Sequence, residues 1–201
     1  MKEGFSLYHT ASPLRVGFAL TGSFCTFSKV LEQMEAAAAH PDWEIIPIMS
    51  ETAYSLDTRF GSAEEFHRRI EKICGREILH TIFQTEPIGP KKLLDVLVVA
   101  PCTGNTLGKL ANGIIDTSVT LAVKAHLRNA RPVVIAASTN DALANSAQNI
   151  GTLLNNKHIF FVPMGQDNFE KKPCSVVADF TKIIPTLEAA LHEKQLQPLL
   201  V

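Results

Sequence analysis

Cysteine pairs at the spacing of a metal knuckle or a redox centre are missing from this sequence. Its four cysteines, Cys25, Cys74, Cys102 and Cys174, lie far apart with no CxxC among them. That argues against a disulfide-stapled scaffold and for a reducing, cytoplasmic compartment. The seven histidines are scattered and none stands in an HExxH-type spacing, so no metal centre is expected. Neither sign of charge dominates: 19 Lys and Arg stand against 20 Asp and Glu, which leaves no basic footprint for nucleic acid. No apolar run approaches the ~18 residues of a membrane span. The first dozen residues lack the continuous apolar core of a secretion signal. Both GxGxxG and GxxxxGK are also lacking, which weakens the dinucleotide and nucleoside-triphosphatase readings.

What remains is an ordinary globular composition, 46% hydrophobic over 201 residues, enough for one domain with a sizeable core. Short apolar runs alternate with longer helical patterns, the mark of βαβ units and a parallel sheet. Six runs are expected as strands: Arg15–Leu20, Glu44–Met49, Leu79–Gln84, Asp95–Ala100, Pro132–Ala137 and Ile159–Val162. Most are nearly continuously apolar, as strands buried on both faces are. Helices are expected over Ser28–His40, Ala63–Cys74, Asp116–Asn129, Ala142–Leu154 and Val176–Leu191, the last kinked by Pro185. The expected organisation is an extension over 1–14, a domain over 15–191 and a tail over 192–201.

In open parallel sheets ligands bind beyond the carboxyl ends of the strands, and here those ends are small and polar. Thr21-Gly22-Ser23-Phe24 follows the first strand, Ser50-Glu51-Thr52 the second, Pro101-Cys102-Thr103-Gly104-Asn105-Thr106-Leu107-Gly108 the fourth, and Ser138-Thr139-Asn140-Asp141 the fifth. Glycine admits close approach to the backbone, while serine, threonine and helix N-terminal amides can hold a phosphate. Each segment also has a plainer reading. Ser23, Asn140 or Asp141 could be a helix cap, and the Ser50 segment a simple turn. Cys102 has no histidine nearby in sequence to activate it. Lys171 and Lys172 read as a solvated loop that could close over an anionic ligand. The four ends together point to a shared crevice for a phosphate-bearing cofactor.

Three motifs carry a family resemblance: Thr21-Gly22-Ser23, Thr85-Glu86-Pro87-Ile88-Gly89-Pro90-Lys91, and Ala100-Pro101-Cys102-Thr103-Gly104-Asn105-Thr106 within the longer run Gly104–Asp116. They resemble the flavoprotein family, which includes the flavin-containing cysteine decarboxylases and the prenyl-flavin synthases. The likeness runs from about Arg15 to Leu191. It implies an α/β fold, Rossmann-like and three-layered, with a six-stranded, mostly parallel sheet. It further implies a homo-oligomer, a trimer or a multiple of one, with FMN at the borders between protomers. The positions that would contact the flavin are Thr21, Gly22, Ser23, Phe24, Ser50, Thr52, Pro101, Thr103, Asn105, Thr106, Ser138, Thr139 and Asn140, with Asn105 also orienting a substrate carboxylate. The segments Phe161–Asn168 and Lys171–Pro173 narrow the likeness to a member that works as one component of an oxidoreductase, with NADP held by the other component.

Two departures bear on chemistry. The decarboxylases' Pro-x-Met-Asn-x-x-Met loop corresponds here to Ala137–Leu143, where only Asn140 survives, and their catalytic histidine has no counterpart within Ser50–Phe60. Both count against a stand-alone decarboxylase or prenyl-flavin synthase. They leave open one half of a two-component enzyme, or a protein that holds cofactor without doing chemistry.

Overall fold

The computed structural model describes residues 12–201. Eleven residues of the expected extension over 1–14 therefore lie outside it. The parallel strands β1 (Leu14–Leu20), β2 (Trp43–Met49), β3 (Val96–Cys102), β4 (Val133–Thr139) and β5 (Ile159–Phe161) pair in the order β2-β1-β3-β4-β5. Alternate residues feed opposite faces, as the pleat demands. Val16, Phe18 and Leu20 point into one core with α1 (Phe27–Ala38), α3 (Ala63–Cys74) and α8 (Ile183–Leu191). Ala19, Leu97 and Val99 point into the other, with α6 (Ser118–Leu127) and α7 (Ser146–Leu154). This is the three-layer architecture the sequence implies. Phe18, Phe27 and Leu31 are fully buried, each contributing about 2–3 kcal/mol of transfer free energy.

Three expectations are corrected. Leu79 keeps only an isolated bridge to Ile48, and the rest of the third expected strand becomes a short helix, α4 (Ile82–Thr85). The cause is a capping box: Thr81 accepts from the Gln84 amide while the Gln84 side chain accepts from the Thr81 amide. The segment Asp116–Asn129 starts its helix later, because Thr117 and not Asp116 is the cap, its hydroxyl accepting from the Thr120 amide.

The third correction matters most. Val176–Leu191 is not one helix. Strands β6 (Met164–Asn168) and β7 (Lys172–Ala178) form an antiparallel hairpin, so with them the sheet has seven strands. Asp179 then ends the strand by capping a short 3-10 turn, and α8 follows. Pro185 sits in the first turn of α8, where its missing N–H costs nothing, so it does not interrupt the helix. The hairpin docks by pairing β7 with Ser138 and Thr139, while β5 pairs only with Val133–Ile135. It therefore stands at the carboxyl end of β4. The tail folds back beside it: Leu199 accepts from the Met164 amide and Val201 donates to the Met164 carbonyl.

Candidate functional site

In the order β2-β1-β3 the direction of winding reverses between β1 and β3, which is where doubly wound sheets open a crevice. A clasp holds the two strand ends together. The Thr21 hydroxyl donates to the Pro101 carbonyl at 2.8 Å and accepts from the Thr103 amide at 3.1 Å. Pro101 does not stop the ladder as its ring suggests, because β3 runs on through Cys102. Next, helix α5 (Gly104–Ala111) begins inside what reads as a loop, since Thr103 caps it by accepting from the Thr106 amide.

The first turn of α5 lies hard against the end of β4. A Cβ at position 104 would stand 2.6 Å from Thr139 Oγ1, 2.8 Å from Asp141 Oδ1 and 2.9 Å from Ser146 Oγ, so only glycine fits there without displacing those groups. The Asp141 carboxylate accepts from the Thr139 and Ser146 hydroxyls. It braces the turn after β4 and does not cap α7, whose N-terminal neighbour is Asn145. Ser23 caps nothing with its side chain. Its hydroxyl instead meets that of Ser138 at 2.9 Å, linking the end of β1 to the end of β4.

These contacts enclose a cavity of about 880 Å³. Gly22, Ser23, Phe24, Thr103, Asn105, Ser138, Thr139 and Asn140 all line it, so three of the four polar strand ends converge. Asn105 is exposed on the first turn of α5. No protein contact crowds Gly22: a Cβ there would meet only the Phe24 ring, at 3.8 Å.

The other expected positions fall elsewhere. Thr21 and Pro101 are the clasp, and Thr106 is buried against Thr103, 3.1 Å between hydroxyls. Ser50 caps α2 (Glu51–Ser55), accepting from the Ala53 amide, and Thr52 is exposed on that helix, off the cavity. The second polar end is drawn away because Glu51 accepts from the Ser118 amide at 3.0 Å, binding it to α6. For Ser50 the turn-and-cap reading is the one the structure displays.

Residues that the sequence did not single out complete the walls. Cys25 and Lys29 come from the start of α1 and its preceding turn, and Thr58 and Phe60 from the loop after α2. Asp167, Ser175, Val177 and Phe180 come from the hairpin and the turn after it. In β7, Pro173 and the β-branched pair Val176-Val177 favour strand over helix, but the exposed polar residues of β6 give no such signal. Lys172 lines the cavity from β7, its ammonium 2.8 Å from Asp167.

The cavity's chemistry is mostly uncharged hydrogen bonding, and no histidine lines it among the described residues. Full burial raises the Cys102 thiol well above its ordinary range, so it stays protonated and is no nucleophile. Tyr54, on α2, is sandwiched between the rings of His67 and His80 at 3.8 and 3.6 Å, none of them a lining residue.

A crevice of this kind at the β1/β3 ends, walled by Thr103-Gly104-Asn105 and by a hairpin beside β4, defines a class. The chain belongs to the flavoprotein family, whose model, described as Flavoprotein, matches residues 5–190. Within it the chain is 46% identical over 187 residues to the B subunit of dipicolinate synthase from Bacillus subtilis (strain 168), covering 93% of each chain. The solved structure of the corresponding dipicolinate synthase B subunit from Bacillus halodurans superposes with a TM-score of 0.86 at 43% identity, over 94% of this chain and 97% of that one. The FMN-dependent cysteine decarboxylase SpaF shares the fold, with a TM-score of 0.66 at 23% identity over 90% of this chain and 97% of that one.

Proposed function

We propose that this chain is the B subunit of a dipicolinate synthase, that it holds FMN in the cavity at the β1/β3/β4 ends, and that it acts with an NADP-binding A subunit. The observation that carries the reading is the convergence of uncharged donors on one cavity in a chain so similar, end to end, to that protein in two Bacillus species. The donor set suits FMN. The Gly104 and Asn105 amides open the α5 N-terminus, where a phosphate is stabilised by free N–H groups and the helix dipole. Gly22 leaves the backbone approachable by a planar ring. Bound FMN supplies reversible two-electron chemistry; the chain's own residues bind the ring, orient the substrate beside it and exclude water.

In the proposed reaction a 4-hydroxy-tetrahydrodipicolinate loses water, passes a hydride to NADP+ on the A subunit, releases a proton and becomes the aromatic dipicolinate. Asn105, exposed at the cavity mouth, is placed to orient a substrate carboxylate. The setting is the cytoplasm of the mother cell of a sporulating bacterium, and the assembly is a homo-oligomer, a trimer or a multiple of one, joined by the A subunit. That none of the described lining residues is a histidine also favours a second reading, in which this chain holds the cofactor and the A subunit supplies the acid and base.

Reconstitution tests both. Dipicolinate is expected only when the FMN-loaded chain and a nicotinamide-binding A subunit are mixed. Full activity of either alone, or none from the mixture, would overturn the assignment. Loss of activity in Asn105→Ala with unchanged FMN affinity supports the catalytic reading, and unchanged activity supports the cofactor-holding one.

A further inference from the structure

Most of the described cavity lining is neutral, and its two cations are Lys29 and Lys172. Lys29 stands in the first turn of α1, where a positive charge opposes the helix dipole and gains nothing locally. It is exposed and forms no ion pair among the described residues. Lys172 reaches the same cavity from β7. Asp167, and more weakly Cys25, raise its ammonium above the ordinary value. Cys25 lies one helical turn before Lys29, which brings β7 and the start of α1 to a common wall. Of the two carboxylates lining it among the described residues, Asp141 is engaged by the Thr139 and Ser146 hydroxyls and Asp167 by Lys172 itself.

We propose that Lys29 and Lys172 anchor the carboxylates of a dianionic substrate and so select dicarboxylic over monocarboxylic acids. The inference rests on the functional reading above for the identity of the acid. Two anionic groups compete for these lysines: a substrate carboxylate and the FMN phosphate. The phosphate already has the α5 amides and whichever hydroxyl of the Ser23–Ser138 pair is not donating to the other, none of which needs a lysine. Lys172 comes from the hairpin and Lys29 from the first turn of α1, neither from the α5 N-terminus. In the free protein Asp167 keeps Lys172 neutralised, and an entering carboxylate takes the place of Asp167.

The test uses FMN-loaded full-length protein titrated with pyridine-2,6-dicarboxylate and pyridine-2-carboxylate, followed by flavin fluorescence and calorimetry, with FMN affinity measured separately. Wild type is expected to bind the dicarboxylate about tenfold more tightly than the monocarboxylate, the weight of one charge-assisted contact. Lys29→Gln and Lys172→Gln should each remove about that factor for the dicarboxylate, leave FMN affinity within about twofold, and weaken the salt dependence of binding. Arginine at either position should restore it. Asp167→Asn should bind the dicarboxylate at least as tightly as wild type. A parallel loss of FMN affinity would assign the lysines to the phosphate and overturn the proposal. So would equal dicarboxylate binding by wild type and both glutamine variants. If FMN-loaded wild type binds neither acid, the substrate reading falls with it. If wild type discriminates and the variants do too, only the lysines fall.

Discussion

His126 gives the fold a dependence on pH that can be calculated. Its ring is 1% exposed near the end of α6, and since a carbonyl only accepts, Nε2 carries the proton and donates to Pro132 at 3.1 Å. Burial, helped by the nearby positive charge of Arg131, lowers its pKa to about 4; the Pro132 bond and the more distant Asp95 oppose this without prevailing. The unfolded chain holds this histidine near the ordinary 6.5. Its folded pKa is thus depressed, so above pH 6.5 the group costs nothing, and as pH falls the unfolded state takes up the proton first. Stability is lost progressively between pH 6.5 and about 4. At about pH 5 the two pKa values give a loss of about 2 kcal/mol relative to about pH 7.5. For a chain of this size that is a fall of roughly 4–8 °C in Tm. His126→Gln keeps a donor for Pro132 and removes the titration. Thermal melts across that range should show the wild type losing about 2 kcal/mol more than the variant. Parallel curves for the two proteins would refute the reasoning.

The clasp, the cradle and the cysteines make further predictions. Thr21→Val removes the hydroxyl that joins β1 to β3 and leaves the Thr103 amide without its partner, so urea unfolding should show a loss of about 1–3 kcal/mol. Gly22→Ala meets no protein atom closer than 3.8 Å, so its urea midpoint should match wild type while flavin titration shows weaker binding; unchanged flavin affinity would count against close approach there. A thiol reagent on the native protein should modify Cys25, which is exposed and lines the cavity, and bound FMN should slow the reaction. Cys102 and Cys74, their thiols raised by burial and the latter to about 12, should react only after unfolding.

The parallel strands were legible because they are buried on both faces, so runs such as Leu97–Ala100 are continuously apolar whatever lies beyond them. Short polar segments were harder to assign, because one capping bond decides them. Thr81 and Gln84 turned an expected strand into a helix, and Thr103 turned a loop into the start of α5. Of the candidate site, the glycine, serine and asparagine positions after β1, β3 and β4 could be found from topology. The hairpin wall could not, because exposed polar residues such as Gln166, Asp167 and Asn168 carry no periodicity that separates strand from loop. Ser50 and Thr52 share the composition of the residues that line the cavity, and only the tie between Glu51 and Ser118, a long-range contact, sets them apart.

A crystal grown with FMN offers the most direct test. Isoalloxazine and phosphate density is expected within the bounds of Gly22–Thr26, Thr103–Asn105 and Ser138–Asn140. Full-occupancy FMN bound on another surface, with this cavity filled only by solvent, would contradict the placement of the cofactor.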